Sequence, residues 1–132
     1  MDVVEGVLGR PVEACWNAFV DAPRLPQWVP ALRSAEIIEL REGMPVEIAF
    51  ALVTGTAYSL IYEYDLAART VRWQPKDGSV GGLSGEASFV ATPHGTKITL
   101  QMTQHPGRSF SERALADPHA LIAAFVRWMD AQ

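Results

Sequence analysis

Between Leu32 and Thr103 the chain repeatedly alternates apolar and polar residues, and the breaks between runs are short. Val46, Ile48 and Phe50 alternate with Glu47 and Ala49. Ile98, Leu100 and Met102 alternate with Lys97, Thr99, Gln101 and Thr103. This is the period of a strand with one buried face. Tyr58, Leu60, Tyr62 and Tyr64, then Val71 and Trp73, then Val80 to Thr92, supply further strand-like runs after the one that begins at Leu32. Glu42-Gly43, Gly55, Leu66 to Arg69, Pro75-Lys76-Asp77-Gly78 and Pro93-His94-Gly95 separate them, and these are turn residues. Parallel neighbours need a crossover of a dozen or more residues. None of these breaks has room for one, so about six strands must run antiparallel.

The flanks read differently. Val3 to Leu8 is a short apolar strand ended by Gly9. Pro11 suits the first residue of a helix and Glu13 its first turn. Val12, Cys15, Trp16, Phe19 and Val20 then form one apolar stripe at helical spacing. Pro23, Pro26 and Pro30 allow only a short second helix around Pro23 to Trp28. Asp117-Pro118 reads as N-cap and first residue of a last helix. From Pro118 to Ala131 it would span about 21 Å, with Leu121, Ile122, Phe125, Trp128 and Met129 on a wide apolar face. Ser109-x-x-Glu112 suits the cap of a separate short helix. The order is β-α-α-β6-α, an α+β chain read as one domain over residues 1–132. A long antiparallel sheet curls, and one amphipathic helix cannot fill its concave face. The space left over suits a ligand.

The 132 residues carry 11 Lys and Arg against 15 Asp and Glu, a formal charge of −4. With no basic run, this speaks against nucleic acid and against an anionic membrane surface. No apolar stretch approaches the length of a membrane span, so no stable membrane insertion is expected. The start, Met1 to Gly6, lacks the features of a secretory leader. Cys15 is the one cysteine and has no partner for an internal disulfide. The cytoplasm is the expected location.

Three stretches carry a family resemblance. Pro11 to Phe19 is similar to an opening helix begun by proline and carrying a tryptophan. Leu25-Pro26-Gln27-Trp28-Val29-Pro30 is similar to a following leucine, proline, x, tryptophan element. Tyr62 to Asp65 through Arg69 to Trp73, then Gly85 to Phe89 and Gly95 to Thr99, resemble a set of central hairpins. Together they resemble the SRPBCC superfamily, also called START-like or helix-grip, and within it the polyketide cyclase/dehydrase and coenzyme Q-binding-protein-like branch. The resemblance implies a curved antiparallel sheet gripping a long C-terminal helix around a hydrophobic cavity. It also implies apolar ligands such as lipids, isoprenoids or polyketides. It implies no single reaction, because the superfamily mixes carriers, receptors and enzymes. Here the last helix is short and the connection from His105 to Asp117 is long.

Chemistry is thinly marked. His94 lies in a turn, while His105 and His119 lack the spacing that puts two imidazoles on one helix face. With Cys15 on an apolar stripe, no metal site and no cofactor are expected. Gly78, Gly81, Gly82 and Gly85 read as a hairpin rather than a phosphate loop, since no Lys-Ser/Thr follows. Ser84, Glu86 and Ser88 share one strand face, and Leu83, Gly85, Ala87 and Phe89 share the other. The apolar set is the better concave face. If Glu86 faced inward instead, burial would raise its pKa toward that of a general acid or base. For the run Tyr58 to Asp65, the residues leave open whether Tyr62 and Tyr64 or Glu63 and Asp65 face inward. His105 and Arg108 follow the last strand, and the resemblance puts that loop near the cavity mouth. There they would orient a polar head group or stabilise an enolate. The catalytic candidates are thus His105, Arg108 and Glu86. Trp28, Trp73, Phe110, Phe125 and Trp128, with Phe89 on its strand's apolar face, are the candidates for a ligand wall. Trp16 and Phe19 read as ordinary core.

The expected function is binding or transport of a hydrophobic small molecule. An aromatase/cyclase-like enzyme and a protein-interaction module with a collapsed cavity are the alternatives. The expected partner is the apolar ligand, with a homodimer left open.

Overall fold

The structure, a computed structural model, describes residues 2–76, 84–103 and 117–131. His105, Arg108, Phe110, the Ser109 to Glu112 motif, and Gly78, Gly81 and Gly82 lie outside the described residues.

Seven strands form one antiparallel sheet: β1 (Asp2–Leu8), β2 (Leu32–Arg41), β3 (Met44–Leu52), β4 (Ala57–Asp65), β5 (Thr70–Pro75), β6 (Ser84–Thr92) and β7 (Gly95–Thr103). Their order across the sheet is β1-β7-β6-β5-β4-β3-β2. Strands β2 to β7 are therefore a meander, as the short breaks require, and β1 closes onto β7. Among the described residues there are three helical elements: α1 (Val12–Phe19), a 3-10 helix (Ala22–Gln27) and α2 (Pro118–Asp130). The order is the β-α-α-β6-α read from the sequence.

Helix α1 begins one residue later than the expected Pro11. That proline is extended (φ −59°, ψ 148°) and acts as the N-cap, its carbonyl accepting from the Cys15 N–H at 3.2 Å. The next element is a 3-10 helix because Pro23 and Pro26 withhold two backbone donors within six residues. At α2 the Asp117 side chain accepts from the His119 N–H at 3.0 Å, so the Asp-Pro reading of its start holds.

Register decides which side chains meet. Val4, Leu100, Ala87, Val71 and Tyr64 are successive partners across β1, β7, β6, β5 and β4. The first four are buried and Tyr64 packs on the core, so this row marks the inner face. One residue along, Gln101, Glu86, Arg72 and Glu63 are partners on the outer face.

The helices share the inner face unevenly. Helix α2 lies mainly on β1, α1 on β6 and β7, and the 3-10 helix on β2. A β-carbon on Gly6 would come within 2.6 Å of Ile122 Cγ2, so the glycine is what lets α2 rest this close to β1. Among the described residues no helix lies mainly on β3 to β5.

Candidate functional site

The inner face of β3 to β5 borders an apolar cavity of about 70 Å³. Phe50 rises from β3, Tyr58, Leu60 and Tyr62 from β4, and Val71 and Trp73 from β5. Phe19 and Val20 close it from α1, and Leu25, Trp28 and Val29 from the 3-10 helix and its exit. Leu32, Met102 and Leu121 complete the wall. The face of β4 left open by the sequence is thereby decided: the tyrosines point in, and Glu63 and Asp65 point out. Aromatic contacts run around the wall. Phe19 meets Trp28 at 5.4 Å and Trp73 at 6.1 Å between ring centroids, Phe50 meets Tyr58 at 5.7 Å, and Tyr62 stacks on Trp73 at 6.0 Å.

The expected wall residues separate. Trp28 and Trp73 line the cavity. Phe125 and Phe89 are buried against it, each packing on Phe19, at 5.4 and 5.2 Å. Trp128 is half-buried; it stacks on Trp28 at 6.4 Å and lies under the Arg24 guanidinium, 4.6 Å from the ring. Phe19, read as plain core, is a lining residue. Trp16 is core, set edge-on to Phe89 at 5.6 Å. Glu86 stands on the outer face, where its Oε1 accepts from Arg72 Nε at 3.1 Å. It is thus kept away from the cavity.

Among the described lining residues no side chain is charged at neutral pH. The polar atoms are indole nitrogens and phenol oxygens. Burial, with smaller contributions from the neighbouring Tyr64 and Tyr58, holds the Tyr62 phenol well above its ordinary range. It therefore stays a neutral O–H. Tyr64, raised by burial, donates its hydroxyl to the Pro45 carbonyl at 2.5 Å. Trp28 is 6% exposed, and its buried Nε1 has no hydrogen-bond partner among the described residues. Such an orphaned donor in an apolar wall is uncommon.

Cys15 lies apart from this wall. It is fully buried, with its Sγ 3.9 Å from the Arg10 carbonyl. Burial raises the thiol above its ordinary value, against smaller lowering effects from Thr96 and Arg10. A buried, protonated thiol is inert. Among the described residues no group of His, Cys, Asp and Glu converges enough to hold a metal ion, and no helix is long and apolar enough to cross a membrane.

No family model matches the sequence, and no curated protein does. Solved structures do match. A START superfamily protein from Mycobacterium smegmatis is 15% identical over 98% of this chain and 95% of its own, with a TM-score of 0.71. The Zhui aromatase/cyclase from Streptomyces sp. R1128 is 15% identical over 98% of this chain and 93% of its own, with a TM-score of 0.68. The fold is START-like. An AHSA1-like protein from Aeromonas hydrophila, 16% identical over 98% of this chain and 92% of its own, with a TM-score of 0.67, shares it too. At these identities the likeness is one of fold.

Within this START-like frame the described cavity can do two things. It can take apolar surface out of water, at roughly 25 cal/mol per Å², and it can offer a few neutral hydrogen-bonding groups. It holds no described group that titrates near neutral pH, as general acid–base catalysis requires. At about 70 Å³ it is also much smaller than the roughly 300 Å³ at which drug-sized pockets begin.

Proposed function

We propose that the protein binds an uncharged hydrophobic small molecule in the cavity between the central strands and the helices. The observation that carries this reading is the apolar wall, which closes around unfilled space with no charged side chain among its described members. Packed interiors leave few voids larger than a water molecule. Ligand binding there needs no cofactor, and the buried Cys15 fits a reducing cytoplasm. The ligand is small, or it enters as side chains such as Met102 turn aside.

An aromatase/cyclase-like activity is the second reading, supported by the fold shared with the Zhui enzyme. It would rest on His105 and Arg108, because Glu86 faces the other way. Mass spectrometry of solvent extracts from natively purified protein, paired with apolar-dye titration, tests the first reading. A stoichiometric apolar molecule, or saturable dye binding lost on filling the cavity by Leu60→Trp, supports it. An empty protein that binds no dye overturns it, and turns attention to a protein-interaction role.

A further inference from the structure

The segment that joins α1 to β2 forms one side of the cavity, and it is held there at a cost. The 3-10 helix Ala22–Gln27 and its exit supply Leu25, Trp28 and Val29 to the wall. Its backbone bonds are mostly local: the Arg24 N–H donates to Asp21, those of Trp28 and Val29 to Leu25, and that of Leu32 to Val29. Among the described residues, the one backbone bond that ties it to a distant part of the chain runs from the Val53 N–H to the Ala31 carbonyl, at 2.9 Å. Ala31 has a φ of 64°, in the left-handed region, where a β-carbon crowds the backbone. Trp28 is buried, and its Nε1 has no partner among the described residues, which costs free energy as long as water is kept from it. Two unfavourable features thus lie on one short strap. Both are relieved if the strap lifts, because Ala31 can then leave the left-handed region and the indole N–H meets water.

What holds the strap down is aromatic. Trp28 packs on Phe19 at 5.4 Å and on Phe125 at 4.8 Å between ring centroids. Trp128 on α2 takes two contacts from the strap: Trp28 stacks on it at 6.4 Å, and the Arg24 guanidinium lies 4.6 Å from its ring. From this we infer that residues 22–31 are the gate of the cavity, a strap that lifts to admit an apolar ligand and is latched shut on Trp128. The inference rests on the binding reading above and adds the way in. Trp128 is not a lining residue. Loosening it therefore changes how often the strap lifts without changing the wall the ligand meets. As long as the closed form stays the major one, association and dissociation speed up together and the affinity barely moves.

The test has two readouts. In native-state amide exchange of the ligand-free protein, Arg24, Trp28 and Val29, with Val53 across the Ala31 bond, are expected to open together and more often than the amides of β6 and β7. Fluorocyclopentane, a small neutral apolar probe, gives its affinity and dissociation rate by ¹⁹F saturation transfer. Trp128→Leu is expected to raise strap exchange and both ligand rates about ten-fold, as the loss of an aromatic pair and a cation–π contact allows. Its Kd is expected to move by less than about two-fold, since the closed form still dominates. Arg24→Met leaves α2 untouched and is expected to raise the same rates about three-fold. Ala31→Asn, a residue that enters the left-handed region at lower cost, is expected to slow them about three-fold. These opposite signs separate a gate from a general loss of stability, which would move every variant one way. Strap amides that exchange only together with the strands, or ligand rates that ignore all three variants, would overturn the gate and leave the apolar container standing. Failure of fluorocyclopentane to bind would overturn the container reading and the gate with it. If Trp128→Leu does not fold, Arg24→Met and Ala31→Asn decide the matter.

Discussion

Trp73 packs its indole into the space that a β-carbon on Gly85, its directly paired neighbour on β6, would occupy. The contact links a residue of the cavity wall to the absence of a side chain on the next strand. Trp73 is 7% exposed and stacked on Tyr62, so it is no flexible tip that can step aside. Gly85→Ala is expected to destabilise the protein by about 1–3 kcal/mol, the usual cost of overpacking, and to shift tryptophan fluorescence. Urea denaturation measures the loss. In a double-mutant cycle with Trp73→Phe, the two losses are expected to be less than additive; full additivity would mean that the glycine serves the strand and not the indole.

Thr96 and Arg10 tie the open end of the fold together. The buried Thr96 hydroxyl donates to the Arg10 carbonyl at 2.7 Å, and Arg10 Nη2 donates to the Met129 carbonyl at 3.0 Å in the last turn of α2. That turn has the negative end of the helix dipole. Thr96→Val keeps the shape and takes from the buried Arg10 carbonyl its 2.7 Å donor, leaving the longer Cys15 Sγ contact at 3.9 Å, at an expected cost of about 1–3 kcal/mol. Arg10→Met is expected to fray the C-terminal turn of α2, read as faster amide exchange at Met129 to Ala131 with little change in the strands.

Glu86 was a candidate acid–base group only if it faced inward. On the outer face it sits opposite Arg72, whose side chain is 67% exposed, and such pairs are worth about 0.2–1 kcal/mol. Glu86→Gln is expected to leave apolar-ligand binding unchanged within error and to shift stability by less than about 1 kcal/mol. A loss of binding in that variant, measured by dye titration, would move the working site to the other side of the sheet.

Alternation and turn spacing made the sheet legible before any coordinates, because antiparallel order follows from breaks too short for a crossover. They could not choose the inner face of β4. Tyrosine is amphipathic, and a face of Tyr62 and Tyr64 suits water or core equally. The choice came from outside the strand, from Phe50 on one neighbour and Trp73 on the other. The cavity wall was harder still. The helical stripe marks Phe19 as buried, but only packing shows that it borders empty space while Phe89 and Phe125 have it filled. Trp28 was legible as an aromatic next to two prolines; that its indole nitrogen has no partner among the described residues depends on the rings around it, which come from distant parts of the chain.

Alkaline pH should weaken the fold through three groups that desolvation keeps neutral. Cys15, Tyr62 and Tyr64 all hold their protons more tightly folded than unfolded, because burial disfavours thiolate and phenolate. Below the ordinary thiol and phenol values both states are protonated and the contribution to stability is fully present. Above them the unfolded chain releases protons first, so it binds fewer than the native state and stability falls as pH rises toward the folded values. Denaturation midpoints are expected to be flat through neutral pH and to decline between about pH 9 and pH 11. Tyr62→Phe should shallow the upper part of that decline. An unchanged slope would show that the Tyr62 phenol is not held neutral by burial.

Met102 is the flexible member of the cavity wall, an unbranched side chain from β7 that is nearly buried. Unbranched thioethers fill irregular gaps and turn aside at low cost. If the cavity of about 70 Å³ sets ligand size, Met102→Ala should open it and move the preference toward larger apolar molecules, at about 2–5 kcal/mol of stability. Affinity for a homologous series from cyclopentanone to cyclooctanone is the measurement. The wild-type protein is expected to favour the small ring and the variant the larger ones. Parallel losses for every ring would mean that Met102 only stabilises the fold, and unchanged affinities in a folded variant would put the bound ring somewhere other than this cavity.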